Sequence, residues 1–352
     1  MMPQKFLVVH PGAQFSTHDV HVALVEGLRA RGCAVAEFRL DGRIERQHQF
    51  LHFLWRREKK ARPDTHWPKP TAADVLYQAS AGLVERALQR NCTDVIVVSA
   101  MFLQPERIVL CRRAGLRVWL LCTESPYDLE QEMRIAALCD GCWTNERTSV
   151  PALQAMTPTA YLPHGWRPGV HDQVSNATPD IDVLFVGSLF DERRRWMESV
   201  DWTGIDLAIY GTTEMLGSRS SLQAHVRGHM VSNVDVVALM QRSRIVLNLF
   251  RGSPGVVAES LNPRCYEATA AGACLVSDAR PELTEVFGDS VPIITPETTS
   301  SVLRELLADD ARRLKLASSA RKAVAAASWP VRVDQMLANI NQWQQSMLSR
   351  SA

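Results

Sequence analysis

Short apolar, β-branched runs alternate along the chain with longer stretches whose apolar residues recur at helical spacing. Phe6–His10, Ala34–Leu40, Asp94–Ser99, Arg117–Cys122 and Gly141–Thr144 read as strands. Between them, Thr17–Arg31 (stopped by Gly32), Ala72–Arg90 and Pro105–Arg113 (stopped by Gly115) read as helices. Strand–helix–strand repetition predicts a parallel sheet covered on both faces. The rhythm pauses in the turn-rich Pro163–Gly169 and Ser175–Pro179 and restarts at Asp182–Gly187. Strands follow at Leu207–Tyr210, Ile245–Phe250, Ala273–Ser277 and Val291–Ile294. Helices fall near Asp191–Val200, Asp235–Gln241, Pro263–Ala271, Pro281–Phe287, Ser300–Ala326 and Val331–Leu348. The predicted organisation is therefore one doubly wound α/β domain over residues 1–165, a second over 166–328, and a C-terminal helical segment over 329–352.

One stretch breaks the rhythm. Asp41–Pro70 carries eight basic and four acidic residues, interleaved with Phe50, Phe53, Trp55 and Trp67. Two readings fit it: a half-solvated excursion whose aromatics pack on the first domain, or an acceptor-side flap or docking surface.

Composition narrows the function classes. At 352 residues the chain suits two cores rather than one. A net charge of +1 provides no overall field for nucleic acid or anionic membrane. No apolar run approaches the ~18 residues of a membrane span. Phe6–Val9 is too short for a signal-peptide core, so a cytoplasmic location is expected. Eight cysteines sit mostly in apolar stretches and read as core thiols. The Cys139–Cys142 spacing lacks the second ligand pair of a zinc site. After the first strand comes His10-Pro11-Gly12-Ala13-Gln14, without the glycine fingerprint of dinucleotide binding. Asp180-Ile181-Asp182 is the one D-x-D. It opens a strand and is not assigned to a metal.

The most informative string is Glu259–Asp278, ESLNPRCYEATAAGACLVSD. Asn262 is a good N-cap and Pro263 is favoured at the first helical position. A helix start offers free N–H groups and partial positive charge to a diphosphate, and Arg264 adds a full charge. Glu267 shares the face of Pro263 and suits the vicinal hydroxyls of a ribose. Glu259 lies in the preceding loop, within reach of sugar hydroxyls.

Glu259 and Glu267, with seven residues between them, resemble the E-x7-E signature of retaining GT-B glycosyltransferases. The longer string AESLNPRCYEATAAGACLVSDARPEL resembles the spore-maturation CgeB-like family within that fold. WLLCTESPYD, DGCWTNERTSV, YLPHGW and DVLFVGSLFDERR agree with it in order and spacing, over roughly residues 117–287. The resemblance implies a GT-B architecture: two Rossmann-like domains with an interdomain cleft, acceptor domain first, donor domain second, and the final helix returning to the first domain. It implies that Glu267 holds the donor ribose and Glu259 the donor sugar. The loop before Pro263, with Asn262 and Arg264, would face the diphosphate. Gly187 would bring backbone close to the donor. Arg193 or Arg194, in DERRR, would stabilise the leaving diphosphate.

The chain departs from many E-x7-E enzymes at Thr123-Glu124-Ser125, where those carry a histidine. Glu124 ends a strand and could serve as general base or sugar-binding carboxylate. His18 is a candidate acceptor contact and His164 a hinge residue lining the cleft. Thr17, Asp19, Asn145, Glu146, Asn248, Arg251 and a base pocket over Gly228–Asn233 are weaker candidates. The expected activity is transfer of a hexose from a nucleoside diphosphate sugar, UDP-sugar favoured, to a hydroxyl, with retention and with neither metal nor further cofactor. A glycan, small molecule, protein or modified DNA base remains open as acceptor, as does the oligomeric state. A sugar-nucleotide epimerase or a non-catalytic sugar-nucleotide-binding module is the alternative.

Overall fold

The computed structural model describes residues 4–12, 16–173, 178–217, 219–229 and 231–351. Residues 174–177 of the turn-rich stretch, and Met230 of the 228–233 stretch, lie outside the described residues. The chain divides into two compact units, one of residues 1–162 with 333–352, the other of residues 163–332.

The first unit runs β1 (Lys5–Val9), α1 (Ser16–Ala30), β2 (Ala34–Phe38), α2 (Leu40–Ala61), α3 (Ala72–Ala79), α4 (Leu83–Gln89), β3 (Asp94–Val98), α5 (Pro105–Arg113), β4 (Arg117–Cys122), α6 (Leu129–Ala136), β5 (Gly141–Thr144), α7 (Val150–Gln154) and β6 (Thr159–Tyr161). All neighbouring strands are parallel, in the order β2-β1-β3-β4-β5-β6. The central strands are buried on both faces, which is why they read as unbroken apolar runs. Because β2 lies on one side of β1 and β3 on the other, the strand order reverses between β1 and β3. Doubly wound sheets bind ligands at such a point, beyond the strands' carboxyl ends.

The structure refines two readings of this unit. The stretch Asp41–Pro70 is largely helical, within the 22-residue α2. Arg43 of α2 donates to the carbonyl of Ala79 at 2.7 Å and to that of Ala81, satisfying the end of α3. The helix expected over Ala72–Arg90 is two, because Gly82 adopts φ +80° between them. Asp74, through a capping box with Thr71, fixes where α3 begins. Strand β6 and helices α6 and α7 are too short to show a clear period in the sequence.

The second unit runs β7 (Ile181–Val186), α8 (Asp191–Glu198), β8 (Leu207–Tyr210), β9 (Val226–Gly228), α9 (Asn233–Gln241), β10 (Ser243–Asn248), α10 (Pro263–Ala270), β11 (Leu275–Ser277), α11 (Pro281–Phe287), α12 (Thr299–Ala308) and α13 (Asp310–Ala323). Its sheet is parallel in the order β11-β10-β7-β8-β9, with the reversal between β7 and β10. Alternate strand residues feed two cores. Leu184, Ala208 and Val246 pack with α9, α10, α11 and α13. Val183, Phe185, Ile209 and Leu247 pack with α8 and α12. The helix expected over Ser300–Ala326 breaks at Asp309, whose carboxylate caps α13 through the Arg312 N–H at 2.9 Å. Val291–Ile294 makes a single bridge, Ser277 to Ile293, rather than a strand.

The last helix, α14, spans Trp329–Ser351. Val333, Met336, Ile340 and Trp343 are buried at helical spacing. Within the first unit Trp343 lies 5.9 Å from Trp119 and 5.3 Å from Trp143, ring centre to ring centre. Trp143 donates to Asn339 at 3.0 Å, and Arg31 makes a two-pronged bond to Asp334 at 2.7 Å. Gly141 is required beneath this cluster: a Cβ there would lie 2.6 Å from the Trp343 ring. No helix among the described residues is long and apolar enough to cross a membrane.

We expect Gly141→Ala to destabilise the protein by about 1–3 kcal/mol through overpacking, and Trp343→Ala by about 3–5 kcal/mol through loss of buried ring contacts. Urea unfolding of both variants checks this. Near-wild-type midpoints would show that α14 is not anchored by these rings.

Candidate active site

The carboxyl ends of β7, β10 and β11 carry the polar residues of the second unit. Asn262 caps α10, its side chain accepting the Cys265 N–H at 3.3 Å. Its amide donates to Asn248, at the end of β10, at 2.8 Å. Asn248 donates in turn to the Ser277 hydroxyl, at the end of β11, at 2.8 Å. The next residue, Asp278, accepts the Phe250 N–H at 2.8 Å. Buried polar groups need such partners, so the chain of bonds fixes helix, strand ends and loop together.

Glu259 lies in the loop between β10 and α10, and α11 holds that loop in place. The Glu259 carbonyl accepts the Glu282 N–H at 3.1 Å, and the buried Glu282 carboxylate accepts the Leu261 N–H at 2.6 Å. Arg280 donates to the carbonyls of Ala258 and Arg251 at 2.5 and 2.9 Å, gathering both ends of the loop. On α10, Glu267 is 7% exposed and pairs with Arg264 at 3.0 Å. These two residues hold one another, so Arg264 fixes which way the Glu267 carboxylate presents its oxygens.

The three arginines of DERRR separate by helix rotation. Arg193 donates to the Ser188 carbonyl at 3.0 Å, beside Gly187, and lies over the Phe190 ring. Arg194 instead pairs with Glu198 at 2.6 Å and Asp191 at 3.3 Å along its own helix. Arg195 is exposed. Burial pushes the Asp278 carboxyl above its usual range, while the Phe250 N–H, Arg280 and Arg193 oppose that shift. Gly187 sits in a backbone contact that admits no side chain opposite: a Cβ on Gly211, whose φ is +130°, would lie 2.3 Å from the Gly187 oxygen. Asp278, the last residue of the informative string, and Arg280, two residues beyond it, had no assigned role. The cue was their position directly after a strand.

In the first unit Glu124 follows β4. Its N–H donates at 3.0 Å to Glu132, which also accepts the Ser125 hydroxyl. Burial raises the Glu132 carboxyl to about 7, with the Glu124 and Asp128 charges adding and the hydrogen bonds opposing. His18 on α1 meets His10 at 2.8 Å between Nδ1 and Nε2, and His10 also accepts the Gly12 N–H at 3.1 Å. Assigning Nδ1 of His10 as that acceptor makes its Nε2 the donor to His18. His21 lies edge-on to His10 and bonds Glu37 at 3.2 Å. Burial, ahead of the neighbouring charges, pushes His10 down to about 4. None of this cluster except His18 was singled out, because its members converge from the end of β1, from α1 and from β2.

Other candidates have structural partners. His164 is buried and pushed down to about 4, by burial and then by the Arg332 charge. Its carbonyl accepts the Arg332 Nε–H at 3.1 Å. Glu146 is buried and accepts the Thr148 N–H and hydroxyl, both at 3.0 Å. Asp180 and Asp182 pair with Arg242 and Arg244 at the amino end of β7, the edge opposite Gly187. The cysteines are free thiols. Burial pushes Cys111 up to about 12 and Cys274 to about 11.

Residues 192–338, from the first turn of α8 into α14, match the family described as "Glycosyl transferase-like". No curated protein sequence matches significantly. Among solved structures the chain is similar to AviGT4, a glycosyltransferase involved in avilamycin A biosynthesis (14% identity, TM-score 0.62, 98% of this chain and 99% of that one). It is similar to Anabaena Alr3699/HepE in complex with UDP-glucose (12%, 0.60, 98% and 99%). It is also similar to β-glucosyltransferase, a DNA-modifying enzyme (12%, 0.59, 96% and 100%). Two doubly wound Rossmann-like units of this kind are the GT-B architecture. The chain shares that fold with these structures. It is an enzyme of the glycosyltransferase class.

Gly211→Ala should destabilise by about 1–3 kcal/mol and displace Gly187; a denaturation midpoint equal to wild type rules out the close contact. Two of the buried histidines, His10 and His164, set a pH dependence. Their folded values lie below the unfolded value near 6.5, so the unfolded chain takes up protons first as pH falls. Their contribution is full above about 6.5 and declines as pH drops towards about 4, by at most about 1.4 kcal/mol per pH unit for each histidine. His10→Asn and His164→Asn should each flatten the curve of stability against pH in that window. Parallel curves for a variant and wild type remove that histidine from the account.

Proposed function

We propose that this enzyme moves a hexose from a nucleoside diphosphate sugar, UDP-sugar favoured, to a hydroxyl acceptor, with retention and without a metal. We further propose that it is of the CgeB-like type, with residues 1–165 serving the acceptor, 166–328 the donor, and the helix over 329–352 belonging with the first domain. The observation that carries the donor reading is the array at the strand ends of the second unit. Glu259 and Glu267 flank the capped start of α10, beside Arg264, where the sheet order reverses. The UDP-glucose bound by HepE, a protein of similar fold, supports the choice of donor.

In this reading Glu267, oriented by Arg264, accepts the ribose hydroxyls, and Glu259 accepts those of the sugar. As the glycosidic bond breaks, negative charge grows on the departing diphosphate. The N–H groups opening α10 and the guanidinium of Arg193 are already ordered there, so they favour the transition state over the bound donor. Arg194, with both its carboxylate partners, acts by fixing α8 rather than by touching the donor. Glu124 and His18 serve the acceptor side, and Asn262 holds the donor loop.

A panel of nucleoside diphosphate sugars, tested with EDTA present, checks this by thermal shift and slow donor hydrolysis. A donor at about 100 times its Kd should stabilise the protein by about 2.7 kcal/mol. Glu267→Ala and Glu259→Ala should each weaken donor binding at least about tenfold, or ~1.4 kcal/mol. The assignment fails if no sugar nucleotide shifts the melting temperature, and its residue roles fail if both variants bind like wild type.

A further inference from the structure

The first unit carries a cavity of about 930 Å³ beyond the carboxyl ends of the paired strands β1 and β3. Gly12, just after β1, and Phe102, in the turn after β3, form its inner end. Ile44 of α2 faces Val75 and Leu76 of α3 across it. The volume is at the upper end for small-molecule sites, which are mostly apolar with a few directed polar groups. The Arg43 bonds that join α2 to the end of α3 hold the two walls together.

The polar groups on this surface lean to one sign. Asp41 and Glu45 line it against Lys69, with the imidazoles of His48 and His52 also on its wall. Burial alone would raise the Asp41 carboxyl, but bonds from Arg39 and the Gly42 N–H, with the His10 charge, hold it well below the carboxylate range. It is therefore an anion at neutral pH. Arg56, Arg57, Lys59 and Lys60, the charges that would suit a polyanion, do not line the cavity. A phosphate group brought inside would face two carboxylates.

The inner end also points to orientation. Gly12 and Asp41 both flank His10, by the 3.1 Å hydrogen bond and at 3.6 Å respectively, and His10 bonds His18. The histidines themselves do not line the cavity, so a hydroxyl at that end meets Asp41, which they support from behind, with the apolar body of the ligand between α2 and α3.

We propose that this cavity takes the acceptor, and that the acceptor is an uncharged, mainly apolar small molecule bearing a hydroxyl, of the phenol or aryl-alcohol class, rather than a phosphorylated compound or nucleic acid. The acceptor role rests on the glycosyltransferase reading above; the ligand class rests on the cavity alone.

The probe is 4-methylumbelliferone, titrated by fluorescence into the full chain at a pH where its phenol is protonated. Its phosphate ester supplies the same ring with added negative charge. The alcohol should bind saturably and the ester at least about tenfold more weakly. Ala72→Trp places a large ring on the cavity wall from an exposed position at the start of α3 and should weaken the alcohol at least about tenfold. Glu45→Lys, also exposed, should abolish the preference for alcohol over ester. Melting curves of both variants confirm folding. An ester that binds as tightly as the alcohol, or a tryptophan variant that binds like wild type, overturns the proposal. UDP-glucose titrated into the same wild-type sample reads the donor site separately. If it binds while the probe does not, the ligand class falls and the transferase reading survives. If the probe behaves as expected and no sugar nucleotide binds, the acceptor role falls and the cavity's selectivity stands.

Discussion

The hydrogen bond from Asn262 to Asn248 joins the start of α10 to the end of β10, and the donor-side residues depend on it. A helix start is electropositive wherever it occurs. It becomes a specific site only if its N–H groups are held in one place relative to the other donors. Here the cap of the helix is itself bonded to a strand end, that strand end to Ser277, and the following Asp278 to the backbone after β10. Losing one amide would leave buried partners unsatisfied on both sides, which costs more than the bond itself contributes.

The two units differ in the charge they carry beyond their strand ends. At the strand ends of the second unit, Arg193 and Arg280 lie near Asp278, and Arg264 neutralises Glu267. The cations there have structural bonds as well, so they are ordered before any ligand arrives and do not need to reorganise. In the first unit the cavity combines apolar side chains with two carboxylates, one lysine and two histidines, His48 and His52. Next to its Gly12 and Asp41, burial lowers the pKa of His10, which bonds His18. Such a surface disfavours an anion and leaves a hydroxyl as the group that can be met by hydrogen bonds.

How much was legible before folding depended on whether a signal was local. Asn262-Pro263 announced a helix start because capping involves only a few neighbouring residues. The restart at Asp182 was visible because a buried parallel strand must be apolar on both faces. Among Arg193, Arg194 and Arg195 no choice was possible, since their roles differ only by rotation of α8 on its core. One bonds the Ser188 carbonyl, one pairs with Glu198, and one faces water. The 41–70 stretch looked irregular because its charges and aromatics obscure a helical period. Arg43 and Leu40 reveal the packed face only when α3 is set beside it.

The sequence by itself determined the alternation of strands and helices, the existence of two such sets, and the loop-and-helix string that carries Glu259 and Glu267. Each is written in short-range patterns of apolar spacing, caps and turn formers, which act before distant residues meet. Tertiary structure alone decided the strand order, and with it the two points where the sheets reverse. It decided that His10, His18 and His21 converge, that Asp278 sits among arginines, and that α2 and α3 enclose a cavity. These are relations between residues far apart in the chain. They exist only after the sheets have ordered the strands and the burial of polar groups has selected their partners.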